Sequence, residues 1–214
     1  MEEAAQVREL LCDNGLVTWS VGSPIGKIPV DGDFEAHKDV LRHTLELANI
    51  LGAANIRMFS FYIPQGKDPE NYRQQVLEQM GQMLEISRHS GIVLCHENEK
   101  GIYGDTADRC RFLYQTFPEL KGVFDPANFV QCDQDTLEAW EMLGKYVKYM
   151  HIKDCAKDGM VVPPGEGVGR LPELLTRYAK LGGGAGEEHA FVAMSEFFHK
   201  QTRRCRTDAL YIAR

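Results

Sequence analysis

The chain has 214 residues, a formal net charge of −7 and a pI near 5.5. That length suits one domain with a sizeable core, and 43% hydrophobic with 26% charged residues is the balance of a globular protein. The acidic balance argues against a duplex nucleic-acid binder, whose footprint is basic, and gives no pull toward an anionic membrane surface. No apolar run reaches the roughly 20 residues of a membrane-spanning helix.

The opening Met1-Glu-Glu-Ala-Ala-Gln is acidic and polar, unlike a secretory signal. Six scattered cysteines without close pairs read as reduced thiols, which predicts a cytoplasmic protein. Residues 3–13 predict a helix with Val7, Leu10 and Leu11 on one face, stopped at Asn14-Gly15. Residues 16–21 are rich in β-branched and aromatic side chains and predict a strand. A Gly- and Pro-rich loop follows over 22–32, and its Lys27 reads as a solvated lysine or as a contact for an anionic group.

Asp33 caps a predicted helix running through Leu51, with Val40, Leu41, Leu45, Ala48 and Ile50 as its apolar stripe and Gly52 as its end. A strand is expected over 56–62. Asp68-Pro69 opens the next helix, with Tyr72, Val76, Met80, Met83 and Ile86 facing the core. Ile92–His96 is a strand, residues 107–117 a helix barred by Pro118, and 122–125 a strand. Asp135-Thr-Leu-Glu138 is a capping box for a helix through Leu143. The pattern closes with a strand over 147–152, a helix over 172–181 and a strand over 190–195. Alternating strand and helix predicts a parallel sheet with right-handed crossovers.

The apolar run at 92–95 breaks into His96-Glu97-Asn98-Glu99, and the same pattern of apolar strand and polar tip recurs at Asp125 and at His151. Glu97 and Asp125 are 28 residues apart, Asp125 and His151 26, close to the roughly 30 residues of one strand–helix unit in an eight-fold α/β barrel. The carboxyl ends of parallel strands carry the chemistry in such folds. Glu97, Asp125, His151 and Glu196 therefore form a candidate metal site. Three carboxylates and one imidazole suit one divalent ion, manganese, magnesium or cobalt, and accept zinc. Taken singly, a carboxylate at a strand end is ordinarily a helix cap, and a histidine within Tyr-Met-His-Ile a core residue; it is their recurrence at successive tips that argues for ligation. Asn98 and Asn128 bind substrate or bridge loops, and Lys153-Asp154 contacts substrate or pairs with neighbouring charges. Pro163-Pro-Gly-Glu-Gly-Val-Gly169 lacks the Gly-Lys-Ser/Thr ending of a phosphate loop, so it reads as a rim loop presenting Glu166.

The stretches His96–Thr106, Phe124–Phe129, Tyr149–Asp154 and Pro164–Gly167 resemble the sugar phosphate isomerase/epimerase family, the xylose-isomerase-like TIM barrels. The resemblance covers roughly residues 3–181. It implies a (β/α)8 barrel that here lacks the first two strands and a helix, leaving about six parallel strands in residues 1–198 and an irregular basic tail over 199–214. It also implies that Glu97, Asp125 and His151 bind one divalent metal. The family's fourth ligand is a glutamate usually followed by Pro-His, whereas Glu196 is followed by Phe197-Phe198-His199.

The implied activity is isomerisation or epimerisation of a small sugar or sugar derivative, by proton transfer through a metal-stabilised enediolate, with Glu97 and Glu196 as the catalytic pair. Two alternatives stand beside it. One is a non-catalytic, shortened paralogue. The other is a metal-dependent phosphodiesterase like the abasic-site endonucleases, which would want more histidines and a basic face. No nucleic-acid or membrane partner is expected. With strands missing, the barrel would expose edges, so the chain should show an open sheet or cover the gap with its tail, a bound segment or a second copy.

Overall fold

The computed structural model describes residues 1–181, 190–193 and 212–213. The chain divides into two compact units, Met1–His96 with Thr207–Arg214, and Glu97–Arg206.

The first unit opens with α1 (Glu2–Asp13), β1 (Val17–Thr18), β2 (Ser20–Gly22) and α2 (Phe34–Leu51). The single strand expected over 16–21 is broken at Trp19, because its halves have different partners. β1 pairs antiparallel with Ile212–Ala213, while β2 pairs parallel with β3 (Asn55–Met58). β1 and Ile212–Ala213, a segment of the predicted basic tail, thus form a two-stranded sheet of their own, apart from the parallel strands. Asp33 caps α2 by accepting from Ala36 N at 3.0 Å, and Gly52 ends it at φ +70. The buried stripe of α2 is His37, Leu41, Thr44, Leu45 and Ala48. Val40 lies one step off that stripe and is exposed, as are Val7 and Leu10 on α1, where Leu11 alone is buried.

β3 ends earlier than expected because the chain past Met58 bonds the 22–32 loop instead of continuing as a strand. Phe59 N donates to Ile25 O, Phe61 N to Gly26 O and Tyr62 N to Ile28 O, all at 2.8–2.9 Å. Gly26 permits this close approach: at φ +82, a Cβ there would lie 1.9 Å from the Phe59 carbonyl oxygen. Lys27 lies over the Phe59 ring, 4.2 Å from its centre. Asp68-Pro69 starts a 3-10 turn, Pro69–Tyr72, before α3 (Arg73–Ser87), whose Val76, Met80, Met83 and Leu84 are buried. β4 (Val93–Glu97) pairs parallel with β3.

The second unit begins at Glu97, the last residue of β4. It holds α4 (Ala107–Thr116), β5 (Lys121–Phe124), α5 (Pro126–Val130), α6 (Thr136–Leu143), β6 (Val147–Ile152), the hairpin strands β7 (Asp154–Cys155) and β8 (Val161–Val162), α7 (Leu171–Leu181) and β9 (Ala190–Ala193). β5, β6 and β9 are parallel neighbours in that order. With β2, β3 and β4, the described residues supply six parallel strands. α5 and the β7–β8 hairpin are additions to the predicted elements. The Pro126 that follows Asp125 is a first-turn proline, and the hairpin is too short for a period to show. Asp135 caps α6 from both Leu137 N and Glu138 N. An aromatic chain fills the core of this unit: Phe124 meets Phe129 at 4.9 Å and Trp140 at 5.2 Å, and Trp140 meets Tyr178 at 5.9 Å between ring centres.

Candidate metal centre

The polar tips of three strands converge in the second unit. Glu97 is the final residue of β4, Asp125 directly follows β5, and His151 lies in β6. Asp125 is also a helix cap. Its Oδ1 accepts from Asn128 N at 2.9 Å, which leaves Oδ2 to face His151. One oxygen of this carboxylate thus caps a helix while the other faces a histidine.

His151 Nδ1 lies 3.0 Å from Glu97 Oε1 and 3.4 Å from Asp125 Oδ2. One ligand atom from each of the three residues falls within 4.8 Å of the others, and all three side chains are buried. Donor atoms about 2.0–2.2 Å from one ion lie about 3–3.5 Å apart, so the spacings around Nδ1 fit a shared cation. The other ring nitrogen, Nε2, is buried with no hydrogen-bond partner, so the polar contacts of the imidazole run through its carboxylate side. Burial opposes charge on His151, but Glu97 and Asp125 outweigh it and raise its pKa from 6.5 to about 9. Two carboxylate oxygens and an imidazole nitrogen are a hard-to-borderline donor set, suited to magnesium, manganese, cobalt or zinc.

The asparagines bind this centre together. Asn98 Nδ2 donates to Asp125 O at 3.0 Å and its Oδ1 accepts from Asp125 N at 2.9 Å. Both ends of the amide thus grip the main chain of a candidate ligand. Asn128 Nδ2 donates to Glu97 Oε1 at 3.3 Å and to Asn98 O at 2.9 Å. Lys153 Nζ donates to Asn128 Oδ1 at 3.1 Å and stands 3.9 Å from Asp125 Oδ2. Asp154 makes no ion pair among the described residues; its carboxylate accepts from backbone N–H groups, a role that sequence reasoning missed. Glu166 is exposed on the 163–169 loop. Glu196 lies outside the described residues. His96 belongs to the first unit, where its Nε2 is 2.9 Å from Ser60 Oγ.

The model of the xylose isomerase-like TIM barrel matches residues 1–189. The chain belongs to that family. A structure described as the probable 3-DHS dehydratase AsbF of Bacillus anthracis superposes with a TM-score of 0.77 at 17% identity, over 94% of this chain and 77% of that one. A D-tagatose 3-epimerase-like protein gives 0.70 at 20% identity, over 90% and 76%. A xylose isomerase-like TIM barrel protein of Mycobacterium smegmatis in complex with magnesium gives 0.70 at 19% identity, over 90% and 71%. At these identities the likeness carries the fold. No curated protein matches the chain. Among the described residues no helix is long and apolar enough to cross a membrane.

Proposed function

We propose that this member of the xylose isomerase-like family is a divalent-metal-dependent isomerase or epimerase of a small sugar or sugar derivative. One observation carries the reading: the buried Glu97–Asp125–His151 set, with three ligand atoms in mutual reach at the ends of successive parallel strands. Burying two carboxylates together is costly unless cations compensate them, so the cluster argues for a charge-handling role. A bound divalent ion would supply Lewis acidity to adjacent carbonyl and hydroxyl oxygens of a substrate. Glu97 holds a ligand position and is one of two groups proposed to move the carbon-bound proton, with Glu196 as the other. Lys153, fixed by Asn128, offers an ammonium to a substrate oxygen beside Asp125. Glu166 contacts the substrate from the 163–169 loop. The epimerase-like neighbour is consistent with proton transfer next to a carbonyl, and the free cysteines of the described residues with a reducing, cytoplasmic setting.

The test is a titration with manganese, magnesium, cobalt and zinc, followed by NMR in deuterated water with D-tagatose and D-fructose. The expected result is metal-dependent exchange of a carbon-bound proton, lost in Glu97→Gln. Metal binding with no exchange for any ketose would favour the non-catalytic reading. Absence of metal binding would overturn the proposal.

A further inference from the structure

The sequence Pro163-Pro-Gly-Glu-Gly-Val-Gly169 has glycine at alternate positions but no phosphate-loop ending. The structure shows which anion those glycines enclose: a carboxylate of the same chain. Asp154 is 1% exposed. Its Oδ1 accepts from Cys155 N at 2.8 Å and Gly169 N at 2.9 Å. Its Oδ2 accepts from Gly165 N at 2.9 Å and Gly167 N at 3.0 Å. Four backbone donors around one carboxylate make an anion nest. The glycines are needed for this fit. A Cβ on Gly167 would lie 2.2 Å from Asp154 Oδ1, one on Gly169 2.7 Å from the same oxygen, and Gly165 sits at φ +92.

Asp154 immediately follows Lys153. In extended backbone, successive side chains leave on opposite faces. One face of this dipeptide enters the nest, while the other sends Lys153 Nζ to Asn128 Oδ1 and toward Asp125 Oδ2. Asn128 in turn contacts Glu97. The far end of the loop is also tied down, where Thr136 Oγ1 donates to Gly169 O at 3.0 Å.

We propose that Asp154 is a positioning residue: by binding the 163–169 loop as an internal anion, it fixes the reach of Lys153 to Asn128 and Asp125. The inference rests on the function proposed above only for what Lys153 would then hold, an oxygen of the substrate. Among the described residues Asp154 accepts only from backbone N–H groups and makes no hydrogen bond to Glu97, Asp125 or His151, so metal affinity and Lys153 placement are read out separately.

The test compares wild type, Asp154→Asn and Gly167→Ala. Asp154→Asn replaces one acceptor oxygen with a donor NH2, leaving N–H groups to face it. Gly167→Ala drives a methyl into the same oxygen while leaving Asp154 chemically intact. Hydrogen exchange of the 163–169 peptide reports the nest. Pulsed acylation read by mass spectrometry reports Lys153, with exposed Lys121 as the internal reference. Manganese titration reports the metal set. In both variants we expect loop amides to exchange at least about tenfold faster and Lys153 to be acylated several-fold faster relative to Lys121, while manganese affinity stays within about threefold of wild type. If D-tagatose is a substrate, KM rises with kcat nearly unchanged, the mark of lost uniform binding. Faster loop exchange with unchanged Lys153 reactivity would overturn the proposal, as would unchanged exchange in both variants. If wild type binds no manganese yet Lys153 responds as stated, the clamp stands and the metal-dependent function falls.

Discussion

His37 ties the first unit's long loop to α2 through a bond that only neutral imidazole can make. Its Nε2 accepts from Gly26 N at 2.7 Å, and burial lowers its pKa below the ordinary 6.5. The folded state therefore binds fewer protons here than the unfolded chain does. The stability that His37 contributes is fully present above pH 6.5 and is lost as pH falls through the lowered value. We expect the acid limb of a denaturation-versus-pH curve to flatten in His37→Gln; an unaltered limb would assign the acid sensitivity elsewhere. Asn98 makes a second residue-scale prediction. Both ends of its amide hold the main chain of Asp125, so Asn98→Ala should weaken manganese binding by about 10- to 100-fold, the usual cost of losing a residue that orients a ligand. Unchanged metal affinity with a raised KM would instead make Asn98 a substrate contact.

At the scale of elements, the second unit depends on Trp140 of α6, which bridges Phe124 on β5 and Tyr178 on α7 with near-perpendicular rings. Trp140 is 5% exposed, and its ring also closes the space beside Gly144, where a Cβ would lie 3.0 Å from Trp140 Cε2. Truncating a buried tryptophan removes its transfer free energy and leaves a cavity. Trp140→Ala should cost about 3–5 kcal/mol in urea-unfolding free energy. A loss below about 1 kcal/mol, the typical change for an ordinary substitution, would mean that the three elements are held by other contacts. β5 and β6 deliver Asp125 and His151, so the same variant is expected to weaken manganese binding as well as stability.

For the whole molecule, the candidate centre predicts a linkage between metal and folding. Its ligands come from β4, the start of α5 and β6, and an unfolded chain does not hold them together. A divalent ion that binds only the native state stabilises it by about 2.7 kcal/mol at a hundredfold excess over Kd. For a chain of this size that corresponds to a rise in Tm of several degrees, at about 2–4 °C per kcal/mol. The rise should vanish with a chelator and shrink in Glu97→Gln. Equal stabilisation of wild type and Glu97→Gln would place the ion elsewhere on this acidic chain.

The family, the main alternation of strand and helix and the strand-end positions of Glu97, Asp125 and His151 were legible in the sequence, because each rests on local chemistry; α5 and the β7–β8 hairpin were not. Apolar runs end in polar tips at the spacing of one strand–helix unit, while caps such as Asp33 and Asp135 mark where helices begin. What only the tertiary structure decided is which partner each polar group has. Asp154-Cys155 and the alternating glycines of 163–169 are separated in the chain, and no local pattern says that one carboxylate collects their N–H groups. Asn98 looks the same in sequence whether it faces a substrate or the main chain of Asp125, 27 residues away. The split of residues 16–21 at Trp19 likewise depends on partners far along the chain, Ile212–Ala213 for β1 and Asn55–Met58 for β2. Helices and caps are determined by neighbours a few residues apart, whereas strand pairing and hydrogen bonds between distant side chains exist only once the chain has folded back on itself.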